Sequence, residues 1–205
     1  MYNGHIMSFR MSALFCEEKA AEVAAYFLVR ASEKGANITI LKLMKLMYLS
    51  ERLSYERYGF PIIGDALVSM PNGPVLSSTL DLINFGPSKP KGAWDRLIAE
   101  KSGRDMSLNE NIKITIDDLR ELSESDLEIL ESIWRQFGRM SAIKLRDYTH
   151  DANNCPEWQD PDGSSVPIKF EDLLDKLGYC AADVGKIIAN IRQQAWINSK
   201  LSSVQ

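Results

Sequence analysis

Ile38-Thr39-Ile40-Leu41-Lys42-Leu43-Met44-Lys45-Leu46-Met47-Tyr48-Leu49 is apolar almost all round, broken only by Thr39, Lys42 and Lys45. No Gly or Pro interrupts the run before Gly59. A helix apolar on nearly every face has to be surrounded by other elements, and this run is too short to cross a bilayer. The spacing therefore predicts the central helix of a folded domain. Beyond Glu51 it turns amphipathic, with Tyr48, Tyr55 and Tyr58 alternating with Glu51, Arg52, Glu56 and Arg57. Gly59 supplies a C-terminal stop and Pro61 bars continuation. Ile62 to Met70 then reads as an extended segment, and Pro71-Asn72-Gly73-Pro74 as a rigid turn, because Asn-Gly favours positive φ and each Pro fixes its own. From Val75 to Asn84, Leu76, Leu80 and Ile83 recur at helical spacing. The order is buried helix, short strand, Pro-flanked turn, helix.

Outward from this stretch the chain stays largely helical. Cys16 to Lys34 carries an apolar stripe of Ala20, Val23, Ala24, Phe27, Leu28 and Ala31, whose alanines permit close approach to a neighbour. Phe85 to Gly92 is a loop by composition, and Ala93 to Ile98 a short helical turn. Asn111 to Ile116 alternates strictly between polar and apolar, the mark of a half-buried strand, and is the expected partner of Asp65 to Met70. Ser123 caps a helix with Leu127, Leu130, Ile133, Trp134 and Phe137 facing inward. Ser141 opens another that ends near His150. After a polar loop from Asp151 to Val166, Ile168 to Leu174 returns to helix. Ala181 to Lys200 closes the chain with Val184, Ile187, Ile188, Ile191, Ala195 and Trp196 expected on one side. The fold class is mainly α: a single helical domain around a buried central helix, with a small two- or three-stranded β element. Residues 16–200 form the domain, residues 1–15 a flexible N-terminal segment and 201–205 a tail.

Composition narrows the function. The chain has 205 residues, 45% hydrophobic and 25% charged, with a net charge of −4, and a pI near 5.3. That balance argues against nucleic acid as a partner, since phosphate neutralisation needs a basic face. Arg139, Lys144 and Arg146 cluster, but as a solvated helix face. Three cysteines, Cys16, Cys155 and Cys180, stand at no metal-ligand spacing, and only His5 and His150 could assist, so no metal and no cofactor is expected. With no signal peptide and no membrane span, the expected setting is the cytoplasm of a bacterium.

Catalytic signatures are sparse. Asp147 and His150 share a helix face and could form a dyad that activates a nucleophile such as Cys155 or a nearby serine, as in a small hydrolase-like enzyme. The alternative, favoured here, has His150 bonding the helix end or packing under Trp158. Gly64, Gly73 and Gly86 are isolated and make no phosphate loop. Lys42 and Lys45 could meet a buried carboxylate; more commonly such stems run over apolar surface and carry the ammonium to water. The tyrosines read as core and rim.

Four pieces together resemble a known family: Leu43-Met44-Lys45-Leu46-Met47-Tyr48, Gly59-Phe60-Pro61, Asn72-Gly73-Pro74-Val75, and Thr149-His150 followed by Pro156 and Trp158. Their order and separation are similar to those of the Panacea domain, also called SocA-like, of antitoxins and phage-associated proteins. The resemblance runs from Ala20 to Leu177. It implies a type II antitoxin, not an enzyme, that neutralises a cognate protein toxin by direct contact. A variant within the family is a proteolytic adaptor that delivers the toxin to a protease, which makes a protease or a chaperone a further expected partner. Met70, Asn72, Gly73, Pro74, His150, Pro156 and Trp158 are the expected partner-binding residues, because Pro-held loops present fixed shapes at low ordering cost.

Overall fold

The computed structural model describes residues 14–87 and 92–202. The expected N-terminal segment lies outside the described residues as far as 13, and so do residues 88–91 of the Phe85-to-Gly92 loop and the last three of the tail. In chain order the elements are α1 (Glu17–Ser32), β1 (Ile38–Thr39), α2 (Ile40–Tyr58), β2 (Leu67–Met70), β3 (Gly73–Leu76), α3 (Ser77–Phe85), α4 (Ala93–Leu97), β4 (Asp105–Met106), α5 (Glu124–Phe137), α6 (Ala142–His150), β5 (Val166–Pro167), α7 (Phe170–Lys176) and α8 (Ala181–Ser202). The architecture is mainly α with small antiparallel sheets.

The expected central helix is α2. Thr39 caps it, its side chain accepting from the Lys42 N–H at 3.3 Å. Gly59 ends it in the left-handed region at φ +64°, its N–H returning to the Tyr55 carbonyl at 2.9 Å. Every residue from Leu43 to Glu51 is buried, which requires cover on all sides. α1 covers one flank and also packs on α4 and α5, while α5, α6 and β3 cover the rest of α2. Ala20, Ala21, Ala24 and Ala25 are wholly buried on α1, so the flanking helices approach without side-chain entropy to lose.

β2 and β3 form a hairpin with Met70 opposite Gly73 and Leu67 opposite Leu76. β5 pairs on the other edge of β2, Val68 with Pro167 and Ser69 with Val166, giving the order β3-β2-β5. The Ile168 N–H extends that edge to the Leu67 carbonyl at 2.9 Å. β1 and β4 make a separate two-stranded pair. Later in the chain, the Tyr179 hydroxyl donates to the carbonyls at the end of α2, 2.9 Å from Tyr55 O and 3.0 Å from Glu56 O.

Three expectations need correction. Asn111 to Ile116 does alternate, with Ile112, Ile114 and Ile116 packed against the core and the residues between exposed, but it forms no strand; a 3-10 turn at Ile116–Asp118 follows. Both edges of β2 are already taken. One edge goes to β3 across a two-residue turn, which costs little chain entropy, and the other to Val166–Pro167. Second, the helix after the turn begins at Ser77, because Val75 and Leu76 belong to the ladder. Asp65 explains the start: its carboxylate accepts from the N–H groups of Ser78 at 2.9 Å and Thr79 at 2.7 Å, satisfying donors the helix leaves free. Third, Trp196 is 62% exposed whereas Ile191 and Ala195 are buried. The inward stripe of α8 follows i, i+4 steps through Ile187, Ile191 and Ala195, and Trp196 sits one residue off it.

Candidate functional site: the seam between α2 and the hairpin

Where α2 meets the hairpin, its apolar surface carries a line of polar groups at helical spacing: Lys45, Tyr48, Arg52 and Tyr55, with Glu51 beside them. Lys45 has no exposed surface. Its Nζ donates to the Pro74 carbonyl at 2.6 Å, so the expectation that its ammonium reaches water is overturned. Among the described residues no carboxylate pairs with it, and burial pulls its pKa down to about 7. Lys42 is only half-buried and donates to the Gly138 carbonyl at 2.7 Å.

Glu157, from the loop after α6, reaches back to α2. Its Oε1 accepts from both the Tyr48 hydroxyl and Arg52 Nε, the latter at 2.8 Å. That pair has one side chain fully buried and the other 15% exposed, so breaking it would strand a charge inside the protein. Glu51 acts differently. Its two carboxylate oxygens accept from the backbone N–H groups of Ile62, Ile63 and Gly64 at 2.7–2.9 Å, fixing the chain between α2 and β2. Burial pushes its carboxyl up to about 7 against the pull of those donors. Among the described residues, Tyr55 OH, His150 Nε2 and Glu157 Oε2 are buried without a hydrogen-bond partner.

The hairpin tip is held from the other side by α6 and its loop. Trp158 Nε1 donates to the Met70 carbonyl at 3.2 Å, and the Gln159 N–H to Ser69 Oγ at 3.2 Å. His150 stacks on Trp158, with ring centroids 4.2 Å apart and planes within 8°. Gly73 is the point of convergence. At φ +91° it occupies a region that side chains resist, and a Cβ there would meet Lys45 Nζ and Thr149 Oγ1 at 2.8 Å and His150 Cδ2 at 3.0 Å. No other residue fits between the helices and the turn.

The structure therefore brings Met70, Gly73, Pro74, His150 and Trp158 together. Gly73 and Pro74 are buried, Met70, His150, Pro156 and Trp158 half-buried, and Asn72 is exposed at the tip beside Pro71. The Asp147–His150–Cys155 arrangement does not assemble. Asp147 is held by Arg146, at 3.0 Å from Nε and 2.6 Å from Nη2, and no hydrogen bond joins it to His150. Burial, then the Glu157 charge, raises the Cys155 thiol to about 12, so it stays protonated and a poor nucleophile. Burial, followed by Lys45 and Arg146, lowers the His150 pKa. Among the described residues no group of three or more His, Cys, Asp or Glu could hold a metal, and no helix is long and apolar enough to cross a membrane.

Tyr48, Glu51, Arg52, Asp65 and Glu157 were not singled out by sequence as parts of the site. The available signal was the recurrence of polar residues at positions 45, 48, 52 and 55 on a helix otherwise committed to burial. Polar groups on such a stripe call for partners on another element, which Lys45, Tyr48 and Arg52 find and the Tyr55 hydroxyl does not.

Residues 43–159, more than half of the chain, match the family model described as "Antitoxin SocA-like, Panacea domain". The matched segment starts within α2 and ends at Gln159, so it contains both walls of the seam. Among curated proteins and among solved structures, none matches.

Proposed function

Because the chain belongs to the SocA-like antitoxin family that carries the Panacea domain, we propose that it neutralises a cognate protein toxin by direct contact. The observation that carries this reading is the extent of the family match, which spans the seam from Leu43 to Gln159. The contact surface is the hairpin tip, Met70 to Pro74, together with His150, Pro156 and Trp158. Its backbone is already fixed by Lys45, Trp158 and Gln159, so little order has to be imposed on binding. Occlusion of the toxin's working surface then needs only shape and a few anchors. The protein does no chemistry of its own in this reading and works in the cytoplasm. The net charge of −4 suits a basic toxin directed at RNA or nucleotides, and speeds encounter more than it tightens the complex.

The test is expression of the adjacent open reading frame alone and together with this protein. Arrested growth that is rescued on co-expression, with the two proteins co-purifying, is the expected result. Asn72→Arg, at the exposed tip, should weaken toxin binding about thirtyfold, the loss of a single anchor of about 2 kcal/mol, without lowering stability. Rescue that persists with unchanged affinity would move the contact elsewhere. If His150→Ala abolished rescue while toxin binding and folding stayed intact, a chemical role would replace the blocking one.

A further inference from the structure

Two basic side chains converge under the hairpin, and among the described residues one of them has a hydrogen-bond acceptor while the other's buried ring nitrogen has none. Lys45 Nζ and His150 Cδ2 both lie within 3.0 Å of where a Cβ on Gly73 would sit. Lys45 uses the Pro74 carbonyl, and His150 Nε2 is buried with nothing to bond. The ring's other face is committed to Trp158, which in turn holds the Met70 carbonyl. We propose that Lys45 and His150 form an acid-sensitive latch on the Met70–Val75 turn: a neutral His150 keeps the turn seated on α2 and α6, and a protonated one lets it go. The latch rests on the antitoxin reading only for what it regulates, the shape offered to the toxin.

The groups facing His150 decide the direction. From α2 comes Lys45, and from its own helix Arg146 and Asp147, already paired to each other. Asp160 in the following loop is the remaining charge acting on it. Residues 69–76 of the hairpin carry no titratable side chain. An imidazolium gains something from the indole face. It loses more, because a buried N–H without an acceptor forfeits its hydration and the Lys45 ammonium points at the same place. Release follows, since the turn tip is tied across the pocket by single hydrogen bonds, from Lys45 to the Pro74 carbonyl and from Trp158 to the Met70 carbonyl. The lowered His150 pKa agrees with this direction.

The measurement is an NMR titration of the full chain between pH 7.5 and 5, on both the histidine ring and the backbone amides of 69–75. The chain has two histidines, and His150→Gln assigns the signal that disappears. The latch requires the His150 ring to titrate with a midpoint below its ordinary value of 6.5. The hairpin amides must shift with that same midpoint, and the shift must vanish in His150→Gln. A ring that titrates while the amides stay still overturns the latch, as does a midpoint above 6.5. Should His150→Gln fold poorly, the coincidence of the two midpoints in the unaltered chain decides alone. None of these readings needs the toxin, so a failure to neutralise any toxin and a failure of the latch are told apart.

Discussion

The two flanks of α2 are built on different principles. Towards α1 the wall is apolar, with Ala20, Ala21, Ala24 and Ala25 wholly buried, and Glu22 on α1 turns its carboxylate elsewhere, to the N–H groups of Arg120 and Glu121 at 3.1 and 2.8 Å. Towards the hairpin, Lys45 reaches Pro74, Glu51 the backbone of Ile62 to Gly64, and Tyr48 and Arg52 together Glu157, three different segments. On the first flank, energy scales with apolar area and fit, and errors cost in proportion to volume. On the second, each polar group is satisfied by one geometry, and removing one leaves its partners buried and unpaired. The first flank supplies stability; the second specifies which loop lies where.

This contrast can be broken by mutation. Glu51→Ala should have the largest effect, about 4 kcal/mol, because three buried N–H donors lose their acceptor at once; urea unfolding measures it. Gly73→Ala should cost about 3 kcal/mol from positive φ together with the crowding of Lys45 and Thr149. It should also disturb the His150–Trp158 stack, visible in Trp fluorescence.

Lys45→Met is informative through pH. Unfolded, Lys45 holds its proton to about 10.5; folded, burial lowers the pKa to about 7. Between those values the unfolded chain binds more protons, so this group makes stability rise with pH. From pH 7 to 9 the native chain should gain about 2 kcal/mol on Lys45→Met, read from paired denaturant curves. A flat difference would mean that the amine is paired or hydrated after all. The smallest effect belongs to the other flank. Ala24→Val adds two methyls to a residue with no exposed surface and should cost about 1.5 kcal/mol by overpacking, with no change in pH dependence. If Ala24→Val proved as damaging as Glu51→Ala, the distinction between the flanks would collapse.

The same division explains what could be read before the structure. α1 and α2 were legible because apolar periodicity records burial directly. The cap at Ser123 and the helix start at Ser141 were legible because capping is local chemistry; Ser123 indeed forms a capping box with Asp126. The pairing of His150 with Trp158 was within reach as one of two readings, since both belong to one short segment. The reach of Glu157 to Tyr48 and Arg52, more than a hundred residues away, has no local trace. Lys45 was misplaced because a lysine on an apolar helix resembles one that snorkels until the Pro74 carbonyl is known to face it. The strand expected at Asn111 failed for a related reason: alternation reports which side is covered and says nothing about a hydrogen-bonding neighbour.

The outer pairing of β2 with Val166–Pro167, and the Tyr179 hydroxyl on the end of α2, lie beyond Gln159. A version trimmed only at its C-terminus, after Gln159, would keep both walls of the seam yet uncover one side of a strand. Bare strand margins recruit each other. Such a shortened protein should cluster with itself, and its insolubility would say nothing about whether the toxin-facing surface had been chosen correctly.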